Sequence, residues 1–141
     1  MNKNDPSDTE KLKPHWRSAD RSPLVRIMKS FVYAGRGVVD TVRSQTNAWV
    51  HLLATTAVVL SGLWFGLSPT EWCLAILAMG LVWGLEGLNT ALERLADALH
   101  PEEHPLIGKA KDAASGAVLL GAIAAAAVGL IIYLPRFIAL L

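Results

Sequence analysis

Four polar residues recur at helical period inside an apolar stretch: Glu86, Asn89, Glu93 and Asp97, at i, i+3, i+7 and i+11. A helix places them in one stripe. The apolar stretch begins at Trp72, so Glu86 lies fourteen residues into it, roughly 21 Å along a helix axis. A carboxylate at that depth is expensive, and in membrane helices such a group faces a protein interior or a polar cavity where it has a function. A plainer use of the stripe is to hold helices together through polar contacts. What favours chemistry is the company: the stripe runs toward a charged loop, and Lys109-Ala110-Lys111-Asp112 opens the next apolar stretch at the same level. Phosphoryl transfer needs this inventory. A carboxylate holds the divalent cation that bridges phosphates, cations steady the nucleotide, and a base acts on the attacking hydroxyl. Removing a carboxylate from water makes it a stronger proton acceptor, which suits Glu86 to the last role. Gly108-Lys109 is not a phosphate-binding P-loop, because Pro105-Leu106-Ile107 before it lacks the glycine spacing.

The elements that position these residues are membrane helices. Of the 141 residues 52% are hydrophobic, and the mean hydropathy of +0.37 is high for a water-soluble chain. The length allows one domain with a tail. Net charge is only +1, yet nine of the thirteen Lys and Arg residues precede the first long apolar run. The single Cys73 excludes an internal disulfide and, within an apolar run, reads as a packing residue. The first apolar segment comes too late for a cleavable signal peptide.

Residues 1–20 are polar and charged and read as a flexible cytoplasmic tail. Residues 21–141 form the membrane domain. Ser22-Pro23 resembles an N-cap followed by proline at the first helical position, and starts an amphipathic helix over residues 22–43. Its apolar face holds Leu24, Met28, Phe31, Val38, Val39 and Val42, and its polar face Arg26, Lys29, Tyr33, Arg36 and Asp40. That division predicts a helix lying in the membrane interface, with Gly35 and Gly37 as points of weakness. Arg26 and Tyr33, seven apart on the polar face, are compatible with nucleotide contact. Three spans follow, over about residues 49–67, 72–99 and 112–134, with Trp49, Trp64 and Trp72 near their ends. Gly80 and Gly84 form a small-xxx-small pair suited to close helix approach. The fold class is therefore all-α: three transmembrane helices plus one N-terminal interfacial helix.

Positive charge places the N-terminal segment and the loop near Lys109 on the cytoplasmic side. Three spans enclose a polar site poorly, so the Glu86 stripe is expected to face a neighbouring subunit of a homo-oligomer. The basic N-terminal segment is not a nucleic-acid surface, because its charges alternate with an apolar face.

The run Glu86-Gly87-Leu88-Asn89-Thr90-Ala91-Leu92-Glu93 with Asp97, then His104 and Gly108-Lys109-Ala110-Lys111-Asp112-Ala113-Ala114-Ser115, resembles the prokaryotic diacylglycerol kinase and undecaprenol kinase family. The resemblance extends from about Arg26 to Arg136. It implies a small homotrimeric enzyme of the bacterial cytoplasmic membrane that uses ATP and Mg²⁺ to phosphorylate a lipid hydroxyl, with active sites shared between subunits. By that resemblance Glu86 is the general base and Asn89 its supporting amide, while Glu93 is a metal-binding carboxylate. Gly108, Lys111 and Asp112 match nucleotide-site positions, and Arg26 and Tyr33 match contacts from the interfacial helix. Asp97 and Ser115 have supporting roles.

One position departs from the family pattern. Gln45 stands where a glutamate that helps hold the cation is usual. A neutral carbonyl oxygen in place of a charged one implies weaker metal binding, with reduced activity or with another acid such as Asp40 taking over. The competing reading is an impaired member that serves as a membrane scaffold or regulatory protein. A third, a small channel or transporter subunit built on a buried acid stripe, explains Glu86 but not Lys111-Asp112. Asn47 and His51 resemble the undecaprenol-type members.

Overall fold

Proline opens most of the helices that follow, at Pro23, Pro69 and Pro105. The structure, a computed structural model, describes residues 22–140; the tail expected over residues 1–20 lies outside them. Among the described residues there are four helices: α1 (Pro23–Ser44), α2 (Thr46–Phe65), α3 (Pro69–Leu99) and α4 (Pro105–Ile138). By length and composition α2, α3 and α4 are each able to cross a membrane. Residues up to Arg36 form one unit and residues from Gly37 onward another. In the first unit the apolar face of α1 is open, with Leu24, Met28 and Phe31 all exposed, as an interfacial helix requires.

The helix boundaries have local causes. Proline occupies the first turn of α3 and α4, where its missing N–H costs nothing. The Ser68 hydroxyl accepts the Glu71 N–H while the Glu71 carboxylate accepts the Ser68 N–H at 2.9 Å, a reciprocal cap. His104 caps α4 through Nδ1, which accepts the Leu106 N–H. Gly66 ends α2 in the left-handed conformation (φ 64°), which a side chain would resist.

Several boundaries differ from expectation. The polar break before α2 narrows to Gln45 alone, and α1 runs unbroken through Gly35 and Gly37. Helix α4 starts at Pro105 rather than near residue 112. The cap at His104 lets the charged residues Lys109 to Asp112 occupy its first turns instead of a loop. It also continues past Pro135 to Ile138, because a proline so near the end removes only one backbone donor of the final turns.

Helices α3 and α4 pack along much of their length, with α2 against α3. The closest approaches are at glycines. A Cβ on Gly121 would stand 2.6 Å from Leu85 Cδ1, and one on Gly62 would stand 2.8 Å from the Trp72 ring. Gly80 and Gly84, expected at a close contact, face no neighbour within 4 Å in the chain. Cys73 is exposed, not packed inside: it projects from an outer face of α3. Large apolar side chains such as Trp64 and Ile131 are exposed too, the inverse of a water-soluble protein. A small core of Leu67, Ile132 and Tyr133 closes the end of the bundle opposite Glu93. The Tyr133 hydroxyl donates to the Val58 carbonyl at 2.7 Å. Beside this core the Arg136 guanidinium donates to both carboxylate oxygens of Glu71 at 2.9 Å.

Candidate active site

Glu86 is 1% exposed, Thr90 2% and Asn89 6%. Within one chain the first part of the stripe, Glu86 and Asn89, is thus buried, while Glu93 is half-buried and Asp97 exposed. The Thr90 hydroxyl turns back to donate to the Glu86 carbonyl at 2.9 Å, so its burial is satisfied. The Glu86 carboxylate is different. Neither oxygen has a hydrogen-bond partner, and the nearest polar atom recorded as an ion-pair partner is His51 Nε2, 3.7 Å from Oε2 and itself unpartnered. Both side chains line a chamber of about 230 Å³ with Asn47, Asn89 and Ser115.

One turn further along α3 the polar groups are fully engaged. Asn89 Nδ2 donates to Glu93 Oε1 and Gln45 Nε2 donates to Glu93 Oε2, each at 2.9 Å. Ser115 Oγ donates to Asn89 Oδ1 at 3.4 Å, a long contact. Asn89 is thus held from both sides, between Ser115 of α4 and Glu93. Asp40, weighed as a substitute acid, is taken: it pairs with Arg94, whose second nitrogen donates to Ser44 Oγ at 2.8 Å.

A cation fits here only in company. Among the described residues no three His, Cys, Asp or Glu side chains converge on one point. One carboxylate suffices for magnesium when phosphates supply further oxygens. Glu93 would be that carboxylate, and rotating the Gln45 amide would turn its oxygen the same way.

Beyond Glu93, Lys111 Nζ lies 2.6 Å from Asp97 Oδ1, so the two sequence-predicted residues meet. Lys111 precedes the apolar part of α4. The hydrogen bond to Asp97 holds its ammonium above the ordinary lysine range, helped by the charges of Asp97 and Glu93. Lys111, Asp97 and Gly108 line an open cleft of about 520 Å³ with His100 and His104, a size suited to a small-molecule ligand. Asp112 is exposed nearby in sequence. Arg26 and Tyr33 stand on the first half of α1, in the unit ending at Arg36.

On its other side the chamber shares Val50, His51 and Ala122 with an apolar cleft of about 300 Å³. This cleft runs between α2, α3 and α4, with alanine the commonest residue of its wall. Within it Trp83 Nε1 donates to Thr55 Oγ1 at 3.0 Å. Sequence reasoning missed His51 as the neighbour of Glu86. The available signal was a lone imidazole inside an apolar span, which needs a polar partner.

Fold and site together define a small polytopic α-helical membrane protein with a carboxylate–amide cluster between a polar cleft and an apolar one. The family model for prokaryotic diacylglycerol kinase matches residues 32–133, and the chain belongs to that family of lipid kinases. It is 43% identical over 116 residues to the undecaprenol kinase of Bacillus subtilis, covering 82% of this chain and 94% of the relative. It is 38% identical to a diacylglycerol kinase of Synechocystis, covering 82% of this chain and 66% of the relative. To the diacylglycerol kinase of Escherichia coli K12 it is 30% identical over 102 residues, or 72% and 84% of the two chains.

Proposed function

We propose that this lipid kinase moves the γ-phosphate of ATP to the hydroxyl of a polyprenol such as undecaprenol, at the cytoplasmic boundary of a bacterial membrane. The observation that carries the reading is the unpartnered Glu86 carboxylate, buried in a chamber that shares Val50, His51 and Ala122 with an apolar cleft. A lipid alcohol fits that junction, with its hydroxyl at Glu86 and its chain among the alanines. The polyprenol is favoured over diacylglycerol by the 43% identity to an undecaprenol kinase.

In this reading Glu86 takes the proton of the hydroxyl as its oxygen attacks. Asn89, held by Ser115 and Glu93, keeps the stripe in register. Lys111, with Gly108 and Asp112, binds the nucleotide in the open cleft, and Asp97 holds Lys111 in place. Arg26 and Tyr33 are nucleotide contacts by the family resemblance alone. Glu93 lies two turns beyond Glu86, roughly 10 Å of rise, a span that the γ-phosphate would bridge. Magnesium arriving with ATP would be held by Glu93 and the Gln45 amide oxygen, and would supply charge neutralisation at the phosphates. The assembly is a homotrimer, with the N-terminus cytoplasmic.

A second reading has its own observation. The Gln45 amide closes on Glu93 through a donor, which satisfies the carboxylate without a cation. A chain resting in that state would be an impaired member acting as a scaffold. The deciding experiment is phosphate transfer from labelled ATP by the purified protein in mixed micelles, with undecaprenol and diacylglycerol offered separately. Transfer to undecaprenol that Glu86→Gln abolishes supports the kinase proposal. Transfer to neither lipid by a folded protein sinks it in favour of the scaffold.

A further inference from the structure

His51 Nε2 and both Glu86 carboxylate oxygens are buried without hydrogen-bond partners, a combination that native structures keep for a reason. At 3.7 Å the two side chains are too far apart to bond one another. They are close enough for both to reach one oxygen atom beside them. The imidazole is fixed from behind: it meets the Trp83 ring edge-on, centroids 6.2 Å apart, and Trp83 is itself tied to Thr55. The remaining polar groups of the chamber, Asn47, Asn89 and Ser115, do not titrate.

We infer that His51 places the acceptor hydroxyl: its Nε2–H donates to the hydroxyl oxygen and turns the O–H toward Glu86, so that two side chains bracket one substrate atom. This rests on the lipid-kinase reading above. In the step itself the proton passes to Glu86 and the hydroxyl oxygen bonds to the γ-phosphorus. The bond from that phosphorus to the bridging oxygen breaks, and ADP leaves with the electron pair. His51 ends as it began. It also marks where the chain of the lipid begins, because His51 is shared between the polar chamber and the apolar cleft.

The test compares wild type, His51→Ala, His51→Gln and Glu86→Gln as full chains in mixed micelles. Expected for His51→Ala is a fall in kcat of about a hundredfold, the scale of a misplaced reacting group. The KM for the lipid alcohol should rise and that for ATP stay unchanged. His51→Gln, which keeps an N–H donor, should recover a large part of the loss. Wild-type rates in His51→Ala, beside an inactive Glu86→Gln, overturn the inference and leave the kinase reading standing. Equal loss in both His51 variants with a raised KM for ATP marks a structural role and also overturns it. A second readout is the ¹⁵N resonance of His51 Nε2 in the wild-type protein as geraniol is added without ATP. A shift supports the placing role even if no lipid is phosphorylated, which is how failure of the kinase reading would show. An unmoved resonance overturns the role.

Discussion

Gln45 and Glu93, 48 residues apart in sequence, are joined by a 2.9 Å hydrogen bond in which the amide donates to the carboxylate. The departure from the family pattern is therefore no vacancy. It replaces what would be repulsion between two carboxylates by an attraction, and it stabilises the cluster in the absence of a cation.

Gln45→Glu should reverse that balance. Two facing carboxylates repel until a cation joins them, so the half-saturating magnesium concentration should fall roughly tenfold, about 1.4 kcal/mol. Without magnesium the thermal stability should drop. A magnesium titration of kinase rate in the two proteins checks this, and an unchanged midpoint would remove Gln45 from the metal site.

Glu86→Gln should lower kcat by about 10²- to 10⁴-fold, the usual worth of a positioned base, and leave the fold intact. The amide is nearly isosteric and brings no charge into a site that is 1% exposed, so the melting temperature should hold or rise. A melting temperature that falls together with activity would mean that Glu86 serves packing, not proton transfer.

Gly62→Ala should destabilise the chain by about 1–3 kcal/mol, the cost of overpacking. The added Cβ would lie 2.8 Å from Trp72 Cη2 and 3.1 Å from the Tyr133 hydroxyl, which is committed to Val58. Gly84→Ala meets nothing in the chain and should leave its folding unchanged. If it instead weakens the oligomer in cross-linking, Gly84 lies at a subunit contact, as a trimer packed through α3 would require.

Glu71 supplies a pH-dependent clamp at the aqueous end of α3, outside the apolar stretch. The Ser68 backbone N–H, then the Ser68 hydroxyl and the Arg136 guanidinium, hold its carboxyl below the ordinary 4.5. A depressed folded value adds stability above the unfolded value and loses it as pH falls through the folded one. Arg136→Gln should therefore lower the melting temperature at pH 7, and its deficit against wild type should shrink below about pH 4.5. A deficit that does not change with pH would assign the effect to lost packing of the arginine stem.

What the sequence made legible was whatever a single helix encodes. The stripe from Glu86 to Asp97 follows from the period of α3 alone, and the sequence set Lys111 at the same level without pairing it to Asp97. The cap at Ser68 was missed, although a serine three residues before a glutamate is its signature. Contacts between helices were not legible. Nothing near His51 in the chain points to Glu86, and nothing near Arg136 points to Glu71, because the rotation of each helix about its axis is decided by packing. The same limit explains the glycines. Gly80 and Gly84 have the spacing of a contact motif, yet Gly62 and Gly121 are where helices touch within the chain.

The enclosure of Glu86 has a consequence for how the protein is made. Its walls come from α2, already synthesised, and from Ser115 and its neighbours on α4, which leave the ribosome later. For that interval a carboxylate bound for the apolar layer lacks half of its shelter. The left-handed turn at Gly66 and the reciprocal cap at Ser68 let α2 and α3 enter as a hairpin, bringing His51 to Glu86 before α4 arrives. A chain stopped at Leu99 should consequently be held at the insertion machinery, and one stopped after Ile138 released into the bilayer.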